Sequence, residues 1–129
     1  MIRWALAAAA VSGFLAVGLG ALGAHAFSGT LGSRAHTLFE TASHYHFVHT
    51  LALAVGALAP AAGASRGWSA VACTAWVIGI LAFCGSLYVL ALTGAHWLAA
   101  VTPVGGTAFL VGWAALAVAT WRGRPAARD

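Results

Sequence analysis

The side chains of this 129-residue chain that could do chemistry are six histidines, two tyrosines and one internal carboxylate, Glu40. Four of the histidines lie close to Glu40, between positions 36 and 49. Imidazole binds copper, zinc or haem iron, and inside a membrane it also joins helices through hydrogen bonds. The histidines are therefore the first candidates for a functional site.

Helical spacing sorts these side chains into two stripes. His36, Glu40 and His44 recur every four residues, and Tyr45 and His49 form a second four-residue pair about 100° or more around the helix. We expect the first stripe to face headgroups and water, where Glu40 and His44 would form a local ion pair. We expect the second stripe to face the other helices.

A metal or haem site is one hypothesis for this cluster. Its candidate ligands are four histidines, His25, His49, His44 and His46. The chain contains no His-Glu-x-x-His or Cys-x-x-Cys-His motif, and no recognisable acid–base pair or phosphate-binding loop. A simple hydrogen bond from His49 to Tyr45 or Ser86 is the structural alternative. We therefore expect a protein without enzymatic activity, and its cofactor stays open.

Long apolar helices must position these residues. Positions 4–33, 41–65 and 67–121 carry no Arg, Lys, Asp or Glu, and 62% of the chain is hydrophobic against 6% charged. About 20 apolar residues cross the roughly 30 Å hydrocarbon core of a bilayer, so the third stretch holds two crossings. Residues 1–129 are predicted to form one domain, an all-α integral membrane four-helix bundle. The predicted spans are about 4–24, 41–61, 69–92 and 101–121, and an alternative is that the second helix starts early, at residues 34–40, outside the hydrocarbon.

The arginines predict how the bundle is oriented. Four crossings place both termini on one side, together with five arginines, Arg3, Arg66, Arg122, Arg124 and Arg128. Arg34 is alone on the other side, so the positive-inside rule predicts cytoplasmic termini. The segment ending in Ala24-His25-Ala26 also resembles a signal peptide, but its apolar run is longer than the 7–15 residues usual there. We expect it to remain as the first span.

With this orientation, the polar residues gather near the extracytoplasmic end. All six histidines lie there, together with Ser86 and Tyr88 late in the third helix and Thr102 at the start of the fourth. Ionisable groups at membrane depth are costly, and by default they indicate a functional site. Small residues such as Gly105 and Gly112 are expected to let the fourth helix pack closely on its neighbours.

Five sequence segments follow one another in a recognisable order. They are Gly20-Ala-Leu-Gly-Ala-His25, Thr41-Ala-Ser-His-Tyr45-His-Phe-Val-His49-Thr50, Phe83-Cys-Gly-Ser86-Leu-Tyr88, Thr102-Pro-Val-Gly-Gly106 and Phe109-Leu-Val-Gly-Trp113. This series resembles the YgdD-like family of small four-helix inner-membrane proteins, whose function is unassigned. The resemblance implies a multi-pass protein of the inner (plasma) membrane. His44 and His46 depart from the family motif, which favours His25 and His49 as candidates.

The resemblance also points to particular positions. They are His25, Tyr45, His49, Thr50, Ser86, Tyr88, Thr102, Pro103, Gly105, Gly106 and Trp113. Most of these belong to the polar set already collected at the extracytoplasmic end. We expect all of them except Trp113 to contribute to ligand binding.

The leading hypothesis is a non-enzymatic membrane protein with a polar pocket near the extracytoplasmic face. The pocket would receive a lipid headgroup, a small ligand or a segment of a larger membrane complex. One alternative is transition-metal or haem binding through His25 and His49, and another is a small oligomeric transporter or channel. The expected partners are membrane lipid and either further copies of the chain or a larger membrane complex. Six scattered arginines form no basic stripe, which argues against nucleic acid.

Overall fold

The computed structural model describes residues 1–27 and 29–123, and it is helical with no strand in that part of the chain. Its α-helices are α1 Arg3–His25, α2 Ser33–Leu58, α3 Arg66–Gly79, α4 Gly85–Thr93 and α5 Thr102–Trp121. A π-helical turn, Ile80–Cys84, joins α3 and α4 into one continuous third span, and 3-10 turns follow α2 and precede α5. Four helical segments are therefore long and apolar enough to cross a membrane. The predicted all-α four-span architecture is confirmed.

The second helix extends beyond its predicted membrane span, which starts near Thr41. It begins at Ser33, in agreement with the early start considered for residues 34–40. Gly32 is the last helix-breaking residue before Thr41, so the polar turn around Arg34 and Glu40 continues the helix beyond its apolar part. The fourth span, α5, begins at Thr102, close to the predicted start at residue 101. Pro103 lies in its first turn, where proline is tolerated because a backbone N–H at that position has no partner within the helix.

Close packing relies on glycine and alanine. On α1, Ala5, Ala9 and Ala16 are buried, and α1 packs chiefly against α2. The contact between α3 and α5 is the most extensive in the bundle. A Cβ added to Gly112 of α5 would collide with the buried Trp76 ring of α3, and one added to Gly105 would collide with the Phe83 backbone in the π-helical turn. Small residues thus bring the helix backbones together where lipid supplies no hydrophobic drive.

Both described chain ends lie at the same end of the bundle. The Arg66 side chain donates a hydrogen bond of 2.9 Å to the Met1 carbonyl oxygen. The Arg122 guanidinium lies 5.7 Å from the centre of the Trp68 ring. We call this end the Arg66 end, and the opposite end, which holds His25 and the hairpin with His96, the His96 end. Arg124 and Arg128 lie outside the described residues.

Candidate functional site

A chain of hydrogen-bonded polar side chains lies within the apolar bundle and joins α1, α2 and α4. The Ser12 hydroxyl is 3.1 Å from His46 Nε2 and 2.6 Å from the Thr50 hydroxyl. On its other side, His46 Nδ1 is 3.2 Å from the Tyr88 hydroxyl. The Tyr88 hydroxyl in turn donates to Ser43 across 3.4 Å. We call Ser12, Ser43, His46, Thr50 and Tyr88 the His46 chain.

One set of proton positions gives every hydrogen bond of the His46 chain a donor and an acceptor. Because Tyr88 donates to Ser43, its oxygen is free to accept the Nδ1–H of His46. Nε2 of the neutral ring then accepts from Ser12, and Ser12 accepts from Thr50. His46, Thr50 and Tyr88 are buried, so these hydrogen bonds offset the cost of placing polar groups at membrane depth.

A groove of about 470 Å³ lies next to the His46 chain, between α1 and the third span. Its lining contains no Arg, Lys, Asp or Glu, and its polar residues are Ser12, His46 and Tyr88 of the His46 chain. One wall is α1, and the π-helical turn supplies Ile80, Leu81 and Cys84 to the opposite wall. The volume lies within the usual range of small-molecule sites, about 300–1,000 Å³. Turns of π-helix within α-helices are frequent at functional sites.

His49 belongs to a separate arrangement between α2 and α5. Its Nδ1 lies 2.8 Å from the Tyr45 carbonyl oxygen, and its Nε2 accepts the indole N–H of Trp113 at 3.2 Å. The imidazole also stacks on Phe109, with ring centres 3.5 Å apart. An indole nitrogen only donates and a carbonyl oxygen only accepts, so the His49 proton is on Nδ1 and both ring nitrogens are occupied.

A third polar contact joins α4 to α5. The hydroxyls of Ser86 and Thr102 are 2.8 Å apart, and Ser86 also donates to the Phe83 carbonyl oxygen at 3.0 Å. Gly105 packs against the Phe83 backbone in the next turn of α5. The predicted hydrogen-bonding partner for His49 was Tyr45 or Ser86; the structure gives it the Tyr45 backbone and Trp113, and pairs Ser86 with Thr102.

The structure does not bring the predicted site residues into one pocket. His25 is exposed at the end of α1. Gly23 packs so closely on α2 that a Cβ added to it would lie 2.6 Å from the Phe39 ring. His25, two residues after Gly23, therefore lies near the level of Phe39 along the bundle. His49 is ten residues beyond Phe39, a distance of about 15 Å along the helix. The structure thus separates the two histidines that were expected to share a site.

The four histidines considered as metal ligands do not converge either. His25 and His44 are exposed, while His46 and His49 each have both ring nitrogens in hydrogen bonds. Within residues 1–27 and 29–123, no three His, Cys, Asp or Glu side chains are grouped to hold a metal ion. The expected Glu40–His44 ion pair is also replaced, because Glu40 lies 3.4 Å from His36, one turn earlier.

Sequence reasoning missed two members of the His46 chain, Ser12 and Ser43, and gave His46 too little weight. A signal for Ser12 was available, since it is the one residue with a polar side chain in the apolar run 5–24. A lone hydroxyl in such a run requires a partner on another helix. Ser43 carries no comparable signal, because polar residues surround it in the sequence.

Fold and site together define a small four-span integral membrane protein in which hydrogen-bonded polar side chains lie beside an apolar groove. A family model described as "Protein of unknown function (DUF423)" matches residues 19–106. A UPF0382 membrane protein of Haemophilus influenzae is 39% identical over 115 residues, covering 89% of this chain and 91% of that protein. The UPF0382 inner membrane protein YgdD of Escherichia coli K12 is 43% identical over 122 residues, covering 93% and 91%.

A third relative, UPF0382 membrane protein YwdK of Bacillus subtilis, is 39% identical over 112 residues, covering 85% of this chain and 89% of that protein. No solved structure matches the chain. The chain belongs to the DUF423 family, so the YgdD-like membership predicted from its motifs is confirmed. It is a multi-pass protein of the inner membrane.

Proposed function

We propose that the groove between α1 and the third span binds one uncharged membrane lipid, with the lipid chain along the groove walls and its polar group against the His46 chain. The observation that carries the proposal is the composition of the groove, which is apolar apart from Ser12, His46 and Tyr88. The protons of Ser12, His46 and Tyr88 are used within the His46 chain, but the Ser12 and Tyr88 oxygens can each accept one more hydrogen bond, which matches an uncharged lipid with a hydroxyl group. A charged headgroup would find no counter-ion there.

The position of the groove also favours a ligand dissolved in the bilayer. Ser12 lies near the middle of α1, nine residues after Arg3 and thirteen before His25. The groove is therefore at the depth of the acyl chains, and its lining residues Val11, Leu15 and Leu81 are exposed apolar side chains that would meet lipid there. A water-soluble ligand would have to cross part of the hydrocarbon to reach it.

Binding without catalysis is the activity that this site supports. The groove lining offers no carboxylate and no second base beside His46 that could form an acid–base pair.

We further propose that the Arg66 end faces the cytoplasm, because Arg3, Arg66 and Arg122 lie there against Arg34 at the His96 end.

The test compares two glycine-to-leucine variants of the full-length protein. Gly85 lines the groove, and the nearest atom to a Cβ added there is 3.9 Å away, so Gly85→Leu fills the groove without a collision at Cβ. Gly18 is exposed on α1 with no atom within 4 Å of an added Cβ, so Gly18→Leu is the matched control. Native mass spectrometry of protein purified in mild detergent would identify the retained lipid.

We expect the wild type and Gly18→Leu to carry one uncharged lipid that Gly85→Leu loses. Tyr88→Phe should keep the groove apolar but retain the lipid more weakly, because an oxygen that accepts the lipid hydroxyl is gone. A wild-type protein that carries no uncharged lipid, or a Gly85→Leu variant that carries it as well as the control, would contradict the proposal.

A further inference from the structure

A second cavity, of about 350 Å³, lies at the His96 end between the start of α2 and the end of α4. Its upper part is lined by Ser33, Arg34 and His96, and its lower part by Leu38, Leu90 and Ala91. Gly94 turns the chain after α4 with a positive φ of 70°, which returns the hairpin towards α2. The cavity is therefore basic on its exposed side and apolar on the side towards the bundle.

Arg34 has no protein counter-ion in this cavity. Glu40 is the one acidic residue among positions 1–27 and 29–123, and it lies 3.4 Å from His36. Glu40 and His36 line a different cavity, against α1, whereas Arg34 faces α4. The described part of the chain thus leaves a permanently charged guanidinium at the membrane edge with no carboxylate to offset it.

The chemistry of the upper part fits a phosphate group. A guanidinium binds phosphate through two parallel hydrogen bonds, and a ring N–H of His96 can donate a third. The first turn of α2 has no side-chain cap, so its backbone N–H groups also face this end. This last feature supports the site, which rests on the two basic side chains sharing one cavity.

The lower part distinguishes a phospholipid from free phosphate. Leu38 is four residues after Arg34 and so lies on the same face of α2, one turn deeper in the bundle. Leu90 and Ala91 are buried and continue this apolar wall on α4. A ligand in this cavity would meet basic groups at the surface and apolar groups beneath them. We propose that the cavity binds the phosphodiester of a membrane phospholipid, with the first carbons of its chains against Leu38 and Leu90.

This site is independent of the groove beside the His46 chain. The two cavities share no lining residue, and only the second contains an arginine. The test is native mass spectrometry of the full-length protein titrated with dioleoyl phosphatidylglycerol. Arg34→Gln and His96→Ala should each weaken binding by about tenfold, since each removes a hydrogen bond to a charged group. Arg3→Gln, which removes an exposed arginine at the Arg66 end, is the control and should leave the affinity unchanged.

Three results would overturn the proposal. The first is wild-type affinity for phosphatidylglycerol in both Arg34→Gln and His96→Ala. The second is an equal loss of affinity in Arg3→Gln, which would show that net charge alone explains the weaker binding. Millimolar inorganic phosphate could displace the lipid, which would assign the cavity to free phosphate. Gly85→Leu, which fills the groove, should leave phosphatidylglycerol binding intact, so that failure of one site is distinguishable from failure of the other.

Discussion

The indole N–H of Trp113 donates to His49 Nε2 across 3.2 Å and so joins α5 to α2. The other ring nitrogen of His49 is held by the Tyr45 carbonyl oxygen, one turn earlier on its own helix. His49, which was expected to contribute to ligand binding, therefore has both ring nitrogens in hydrogen bonds within the bundle. The groove lies beside the neighbouring face of α2, where His46 meets α1 and α4.

Trp113→Phe should lower stability by removing the donor to His49. We expect a loss of about 1–2 kcal/mol, because a buried ring nitrogen is left without a partner. The measurement is the free energy of unfolding in detergent. Trp121→Phe is the control, since Trp121 is 89% exposed. Equal stability of the two variants would show that the bond contributes nothing.

Ser12 and His46 should be energetically coupled. Ser12→Ala removes the Nε2 partner of His46, and His46→Leu removes the other half of the same contact. We expect a double-mutant cycle to give a coupling of about 0.6–1.7 kcal/mol, the range of hydrogen bonds between membrane helices. A cycle of Ser12→Ala with Trp113→Phe is the control, because Trp113 is bonded to a different histidine. Additive effects of Ser12→Ala and His46→Leu would contradict the proposed chain.

Gly105→Ala should destabilise the contact between α5 and the third span. The added Cβ would collide with the Phe83 backbone, which cannot move aside as a flexible side chain can. We expect a loss of about 1–3 kcal/mol from overpacking. Gly18→Ala, at an open position, is the control for a glycine within a helix. If Gly105→Ala is as stable as that control, the close approach of the two helices is incorrect.

The orientation of the bundle can be tested by cysteine labelling. In a background of Cys73→Ala and Cys84→Ala, an impermeant maleimide added to intact cells should label Ala99→Cys, in the hairpin at the His96 end. It should not label Ala61→Cys, in the turn at the Arg66 end, because five arginines against one favour a cytoplasmic location for that end. The reverse labelling pattern would contradict the orientation.

The four spans could be predicted because the absence of charge over long stretches leaves few alternatives for a chain in a bilayer. The π-helical turn at Ile80–Cys84 could not be predicted, since its residues are as apolar as the α-helical turns around it. The contacts of His46 and His49 with different helices could not be predicted either. His46 and His49 are three residues apart and so point about 60° apart on α2. Which neighbouring helix each one meets depends on packing that helical spacing does not contain.

The most direct test of the proposed function is an experimental density map of the wild-type protein in lipid nanodiscs. We predict elongated non-protein density between α1 and the π-helical turn, with its polar end within hydrogen-bonding distance of the Ser12 or Tyr88 hydroxyl. A map in which Ala8 and Leu81 close against each other and leave no groove would contradict lipid binding there.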